Sequence, residues 1–127
     1  MILGIGTDLC EIGRIQRAMD RFGDRFARKI LGASELERFR SHRQPAAYLA
    51  KRFAAKEAFS KAIGTGIRYP VTWRNVNVVN GPSGRPILEF SKDLDQLLMR
   101  RGVSAVHLSI TDESGLAGAY VILEGRT

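Results

Sequence analysis

The first residues of the chain alternate in character with the period of a β-strand. Positions 3, 5, 7 and 9 are Leu, Ile, Thr and Leu, and the alternating positions 2, 4, 6 and 8 are Ile, Gly, Gly and Asp. A period of two is typical of a strand, because successive side chains point to opposite faces. The pattern therefore predicts a strand that carries Asp8 at its carboxyl end, where the chain passes into a helix.

Three helices are predicted next. From Glu11 the apolar residues recur every three or four positions as far as Gly23, which indicates an amphipathic helix whose other side is basic. Asp24 begins a short helical turn. A further short helix is predicted to start at Ser34, because Glu37 three residues later completes a capping box.

The segment from Pro45 to Ile63 has the clearest helical pattern in the chain. Proline suits a first helical turn, Gly64 suits the exit, and the interior is rich in alanine. Wound at 3.6 residues per turn, its large apolar side chains interleave with charged ones, so that no side is purely polar. A helix of this kind is usually packed on several sides.

The second half of the chain changes to strand periodicity. Strands are predicted at Val76–Val79 and Pro86–Phe90, around a turn rich in Gly, Pro, Asn and Ser, and Ser91 caps a helix that ends at Gly102. Two last strands are predicted at 106–111 and 120–124. We therefore expect a single α+β domain over residues 1–127, with an antiparallel sheet packed against one long helix and several shorter helices.

Charge and cysteine content narrow the possible partners. The 127 residues contain 20 Lys and Arg against 13 Asp and Glu, and the net charge of +7 favours anionic partners. Aromatic residues make up only 8% and do not interleave with basic ones, so nucleic acid is not favoured. Cys10 is the only cysteine, which excludes an internal disulfide and favours a reducing compartment. We expect a cytoplasmic protein without a membrane span.

Two kinds of site are excluded by spacing. Gly4 and Gly6 do not form a nucleotide-binding G-x-G-x-x-G motif, because the third glycine would fall on Leu9. We interpret these glycines as positions of close backbone packing. Cys10 has no histidine near it in sequence and is interpreted as a buried, inert thiol.

Two carboxylates are the most informative candidates. Glu57 lies in the long helix one turn before Lys61, where the simplest interpretation is an i,i+4 salt bridge worth a few tenths of a kcal/mol. Asp8 provides a second carboxylate with no evident basic neighbour. Because Mg²⁺ takes one or two carboxylates together with water and phosphate oxygens, the pair also suits a magnesium site that binds a polyphosphate.

Longer motifs connect these residues to a known family. The segments are Gly4–Ile15, Arg52–Gly66, Ser83–Pro86 and His107–Thr111. Together they resemble the holo-acyl-carrier-protein synthases, the small bacterial type of 4′-phosphopantetheinyl transferase. The resemblance implies that the phosphopantetheine group of coenzyme A is transferred to a serine of apo acyl carrier protein, with release of adenosine 3′,5′-bisphosphate, in fatty acid biosynthesis.

The resemblance also assigns roles to single residues. It implies that Asp8 and Glu57 hold Mg²⁺, that Glu57 accepts the serine proton directly or through water, and that Lys61 supports the phosphate charge or the leaving group. Larger relatives carry an acidic residue two positions after the first ligand, where this chain has Cys10, so we expect water there. The resemblance also implies a homotrimer, with active sites between the subunits.

The binding surfaces are expected from the same resemblance. Coenzyme A is expected to contact Arg52, Lys61, Arg85, Pro86, His107, Ser109 and Thr111. His42 or Arg43 is a candidate for its 3′-phosphate. The first helix is expected to bind the acidic carrier protein through Arg14, Arg21 and Arg25.

Two other functions remain open from the sequence. One is a small basic nucleic-acid-binding domain without catalysis, which would keep its ligand after Asp8→Ala or Glu57→Ala because only negative charge is lost. The other is a catalytically inactive scaffold that binds the carrier protein. Two surfaces are likewise either solvated or ligand-facing. One is the strand face of His107, Ser109 and Thr111, and the other is the arginine side of the first helix.

Overall fold

The described part of the chain forms five strands and five helices. The structure is a computed structural model that describes residues 1–126. In chain order the elements are β1 (Ile2–Glu11), α1 (Ile12–Phe22), α2 (Asp24–Ile30), α3 (Ala33–Ser41), α4 (Pro45–Ile63), β2 (Val76–Asn80), β3 (Pro86–Phe90), α5 (Lys92–Arg100), β4 (Val103–Glu113) and β5 (Leu116–Gly125). None of these helices has the length and apolar character needed to cross a bilayer.

The strands form two antiparallel sheets. The larger has the order β1-β5-β4, and β2 and β3 form a separate hairpin. The predicted turn closes this hairpin through a hydrogen bond of 2.8 Å from the Gly81 amide to the Arg85 carbonyl. The expected α+β class with antiparallel pairing is confirmed. The Ser91 cap is confirmed as well, since its hydroxyl accepts from the Leu94 amide.

Helix α4 lies directly against the larger sheet. Its bounds are those predicted, and 14 of its 19 residues are buried. A Cβ atom added to Gly4 would lie 2.1 Å from the Ala62 carbonyl oxygen, and one added to Gly6 would lie 1.9 Å from that of Ala58. Only glycine allows this approach, so the interpretation of close backbone packing is confirmed. The rest of the same chain buries this helix, without help from another subunit.

A buried ion pair joins α4 to the small helices and the hairpin. The Lys56 ammonium group lies 2.6 Å from Glu35 and donates to the carbonyls of Ile30 and Trp73 at 2.7 and 2.8 Å. The other oxygen of Glu35 accepts from the amide of Val78 at 2.9 Å. Both side chains are at most 1% exposed. The two charges of this pair therefore neutralise each other, as their burial requires.

The start of α3 differs from the prediction. The helix begins at Ala33, and its capping carboxylate is Glu35, which accepts from the Gly32 amide at 2.9 Å. The prediction of a capping box from Ser34 to Glu37 is therefore wrong. The reason is tertiary, because the capping carboxylate also neutralises the buried Lys56.

Candidate functional site

Asp8 meets the exposed edge of α4. It lies within β1, three residues before the strand ends at Glu11, and not at the end of the strand as predicted. Like the two glycines before it, Asp8 occupies the side of β1 that faces α4. The close packing at those glycines brings its side chain, which is 14% exposed, to the turn of α4 that carries Glu57 and Lys61.

Lys61 pairs across the chain and not along its own helix. Its ammonium group lies 3.1 Å from Asp8 Oδ1 and donates to the Thr7 carbonyl at 3.1 Å. This is the only salt bridge of Lys61 within the part of the chain that the structure describes. The i,i+4 salt bridge to Glu57 is therefore not formed, and the basic neighbour of Asp8, which is not evident beside it in the sequence, is Lys61.

The negative charges of Asp8 and Glu57 are only partly compensated by neighbouring groups. Asp8 Oδ2 is buried without a hydrogen-bond partner among residues 1–126. The pKa of Glu57 is raised by burial and by the neighbouring Asp8 carboxylate, against the opposing effects of Lys61 and Arg14. Buried carboxylates that repel each other are stabilised by a hard cation with oxygen ligands. The donor set therefore fits Mg²⁺.

Cys10 adds no oxygen ligand to this pair. The thiol is 1% exposed, and burial raises its pKa, so it stays neutral near pH 7. The interpretation of a buried, inert cysteine is confirmed. No group of three His, Cys, Asp or Glu able to hold a metal occurs in residues 1–126. Two carboxylates are within the number that Mg²⁺ uses.

Three of the residues expected to bind coenzyme A line one cleft. Arg85 and Pro86, at the start of β3, face His107 of β4 across this cleft. The His107 ring lies 2.8 Å from Glu124 and is exposed. Ser109 and Thr111 continue along the same face of β4 and are also exposed.

This face of the sheet is opposite the one that carries Asp8. Leu108 and Ile110 pack against the core, so the alternating residues His107, Ser109 and Thr111 point away from α4. Asp8 points towards α4. A single chain therefore does not bring the expected coenzyme A residues together around the carboxylate pair.

Arg52 lies in a separate basic cavity. It shares this cavity with residues from α3, α4, the segment between them and the end of β2: Arg38, Ser41, His42, Arg43, Tyr48, Lys51 and Asn80. Arg52 is 8% exposed, and its Nε atom has no hydrogen-bond partner within the described chain. Arg38 and Tyr48 of this cavity were not predicted from the sequence. The available signal for Tyr48 was its position one helical turn before Arg52.

The arginines of α1 and α2 divide into paired and unpaired groups. Arg28 of α2 and Arg40 of α3 both form salt bridges with Asp24, at 3.7 and 2.9 Å. No carboxylate of residues 1–126 lies within 4.0 Å of the other four arginines of α1 and α2, which are all exposed: Arg14, Arg17, Arg21 and Arg25. We call three of them, Arg14, Arg21 and Arg25, the unpaired arginine surface. Phe22, 48% exposed, lies under the guanidinium group of Arg21 on this surface.

Comparison with known proteins supports the resemblance of the motifs. Residues 4–121 match the family model of the 4′-phosphopantetheinyl transferase superfamily. The chain is 56% identical to the holo-[acyl-carrier-protein] synthase of Bordetella pertussis, over 98% of this chain and 84% of that protein.

Two crystal structures of similar proteins cover nearly the whole chain. That of the holo-[acyl-carrier-protein] synthase from Neisseria meningitidis has a TM-score of 0.94 and 45% identity, over 98% of this chain and 99% of that one. That of the Bacillus anthracis synthase, in complex with CoA (3′,5′-ADP), has a TM-score of 0.81 and 37% identity, over 99% of each chain. The similarity thus extends to the complete fold.

Proposed function

The chain belongs to the 4′-phosphopantetheinyl transferase superfamily, and on that premise we propose that it transfers the phosphopantetheine group of coenzyme A to a serine of an acyl carrier protein. Adenosine 3′,5′-bisphosphate is the second product. The observation that carries this proposal is the meeting of Asp8 and Glu57 beside Lys61, with one buried Asp8 oxygen left without a partner.

The carboxylate pair supports a Mg²⁺-dependent reaction. Asp8 and Glu57 would hold Mg²⁺, which neutralises pyrophosphate charge when bound. Glu57 is the candidate acceptor for the proton of the attacking serine hydroxyl, directly or through water. Lys61, 3.1 Å from Asp8 Oδ1, would stabilise the negative charge that develops on the leaving oxygen. No covalent nucleophile from the chain is required.

The cavity of Arg52 supports binding of the 3′-phosphate of coenzyme A. A buried guanidinium group without a carboxylate partner is costly unless a ligand provides the anion. Arg38, Arg43 and Lys51 add positive charge to the same lining, which suits a phosphate monoester dianion. The His42 ring lines the cavity as well.

A homotrimer would complete the site. The sheet face of His107, Ser109 and Thr111 also carries Ile5 and Leu9 of β1, which are 67% and 69% exposed. An apolar face of this kind is typical of a contact between subunits. A second copy on this face would bring the cleft of Arg85, Pro86 and His107 to the carboxylate pair of its neighbour.

Light scattering tests this assembly. We expect a trimer mass for the unchanged protein. Ile5→Arg should yield inactive monomers, whereas Met99→Arg, on an even more exposed apolar residue of α5, should remain trimeric. A monomeric unchanged protein with full activity would refute the shared site.

The unpaired arginine surface supports docking of the acidic carrier protein. Its guanidinium groups are free to meet carboxylates of a partner, which speeds association and sets orientation. Arg14 also lies close enough to affect the pKa of Glu57, so a carrier bound here would lie beside the reacting groups. We place the reaction in cytoplasmic fatty acid biosynthesis, in keeping with the free thiol of Cys10.

Mass spectrometry tests the activity directly. Incubation with Mg²⁺, coenzyme A and an apo acyl carrier protein should add one phosphopantetheine mass to one serine of the carrier. Asp8→Asn and Glu57→Gln should abolish the gain, and Asp95→Asn, at an exposed carboxylate of α5, should not. Failure of the folded, unchanged protein with several carriers would refute the proposal and would leave the nucleic-acid-binding or scaffold functions.

A further inference from the structure

We propose that Tyr48 is a positioning residue that holds the guanidinium group of Arg52 for an incoming phosphate monoester. This inference rests on the proposed function, because that function assigns the 3′-phosphate of coenzyme A to the cavity of Arg52. Tyr48 would thereby determine how strongly the enzyme distinguishes coenzyme A from its 3′-dephospho form.

Arg52 has no anionic partner of its own. Among residues 1–126 no carboxylate lies within 4.0 Å of its guanidinium group. The one carboxylate that lines the adjoining cavity belongs to Glu35, and its oxygens are already used by Lys56 and by the amides of Gly32 and Val78. The charge of Arg52 is therefore available to a ligand.

The ring of Tyr48 supports this group from one side. The Cζ atom of Arg52 lies 3.9 Å from the ring centroid, a distance typical of a cation–π contact. Because the ring covers one face of the planar guanidinium group, the N–H edge is left for hydrogen bonds with a ligand. A flexible side chain is thus held in one plane before the ligand arrives.

The ring is itself held in place. Tyr48 is 4% exposed, and its hydroxyl donates to the Glu35 backbone carbonyl at 3.1 Å. The rings of Phe39 and His42 lie against it, with centroids 6.4 and 5.0 Å away. Tyr48 is therefore held rigidly at the buried contact between α3 and α4. The fixed ring in turn fixes the plane of the Arg52 guanidinium group.

The ligand that fits this arrangement is a phosphate monoester dianion. A planar guanidinium group can donate two parallel hydrogen bonds to phosphate oxygens, and a positioned group loses less conformational entropy on binding. A ligand without that phosphate gains nothing from the positioning. The consequence is a specific effect on the binding of coenzyme A.

Steady-state kinetics with two substrates test this role. We expect Tyr48→Leu to raise KM for coenzyme A by about two- to thirtyfold, the range of a cation–π contact, with kcat unchanged. KM for 3′-dephospho-coenzyme A should stay as in the unchanged enzyme. Tyr48→Phe keeps the ring and should restore most of the affinity for coenzyme A.

A double-mutant cycle separates positioning from direct contact. In an Arg52→Ala background, Tyr48→Leu should have no further effect on either substrate. Equal effects of Tyr48→Leu on both substrates, or additive effects in the cycle, would overturn the inference. Tyr48→Met fills the same space if the leucine variant does not fold, and failure of both to fold would show a purely structural role and overturn it as well.

The proposed function has its own separate outcomes. An unchanged enzyme that uses coenzyme A and 3′-dephospho-coenzyme A equally well would contradict the 3′-phosphate cavity, whatever Tyr48 does. An unchanged enzyme that transfers nothing would contradict the transferase proposal itself. Discrimination between the substrates that survives Tyr48→Leu would refute the role of Tyr48 alone.

Discussion

Breaking the buried pair of Lys56 and Glu35 should destabilise the protein more than most single substitutions. Lys56→Met keeps the length of the side chain but removes three hydrogen bonds and leaves the Glu35 carboxylate buried without its cation. Breaking a buried pair on one side typically costs about 3–5 kcal/mol. Because domains are stable by about 5–15 kcal/mol, this is a large share of the free energy of unfolding.

The matched control removes both charges. In the Lys56→Met, Glu35→Gln double variant a neutral amide oxygen still accepts from a backbone amide, and no unpaired charge is left in the interior. We therefore expect the double variant to be more stable than Lys56→Met alone. The difference between them measures the cost of the isolated carboxylate and not of lost packing.

Urea and thermal unfolding, followed by circular dichroism, measure these differences. For a chain of 127 residues a loss of 3–5 kcal/mol corresponds to a fall in Tm of about 10–20 °C. A loss below about 1 kcal/mol in Lys56→Met would refute the reasoning. So would a double variant less stable than the single one, since the burial of an unpaired charge would then not be the dominant cost.

Three further predictions test the site, the sheet contact and the docking surface. Glu57→Gln should raise Tm in EDTA at neutral pH, because the raised pKa of Glu57 means that its charged form destabilises the folded protein. This gain in Tm should disappear as the pH falls through that pKa, where the carboxyl group becomes neutral. A gain that stays constant with pH would refute the charge effect. Gly6→Ala should cost more than about 3 kcal/mol by urea unfolding, because its Cβ would overlap an α4 carbonyl, whereas Gly13→Ala in α1 should be neutral or stabilising. Arg21→Glu should raise KM for the carrier protein at least tenfold and leave KM for coenzyme A unchanged. Arg100→Glu on α5 is the control, and an equal effect there would show that the net charge of the protein matters and not docking at α1.

Much of the fold follows from short-range patterns. The bounds of α4, the hairpin of β2 and β3 and the Ser91 cap were all predicted, because helical spacing, proline, glycine and a capping hydroxyl act within a few residues. The close contact at Gly4 and Gly6 was predicted in kind, since glycine within a strand indicates a near backbone.

The choice of charge partners was decided by the tertiary structure. The spacing offered a Lys61–Glu57 salt bridge as the simplest interpretation, but Lys61 pairs with Asp8. The predicted cap of α3 from Ser34 to Glu37 is wrong, because Glu35 caps this helix. Local spacing offers a partner of the right charge, but it does not measure how much solvent each partner would lose. Burial favoured Glu35 in particular, because this carboxylate both caps α3 and neutralises the buried Lys56.

The division of the candidate site over two sheet faces also depends on the tertiary structure. Strand alternation determined that His107, Ser109 and Thr111 share a face, and the motifs identified Asp8 and Glu57. Which face meets α4 depends on where the helix packs, and that follows from the glycines of β1 and the alanines of α4 acting together. Local patterns in the sequence thus predict the elements and the candidate site residues. The contact between distant elements decides which of these residues meet, because packing is a property of pairs of surfaces.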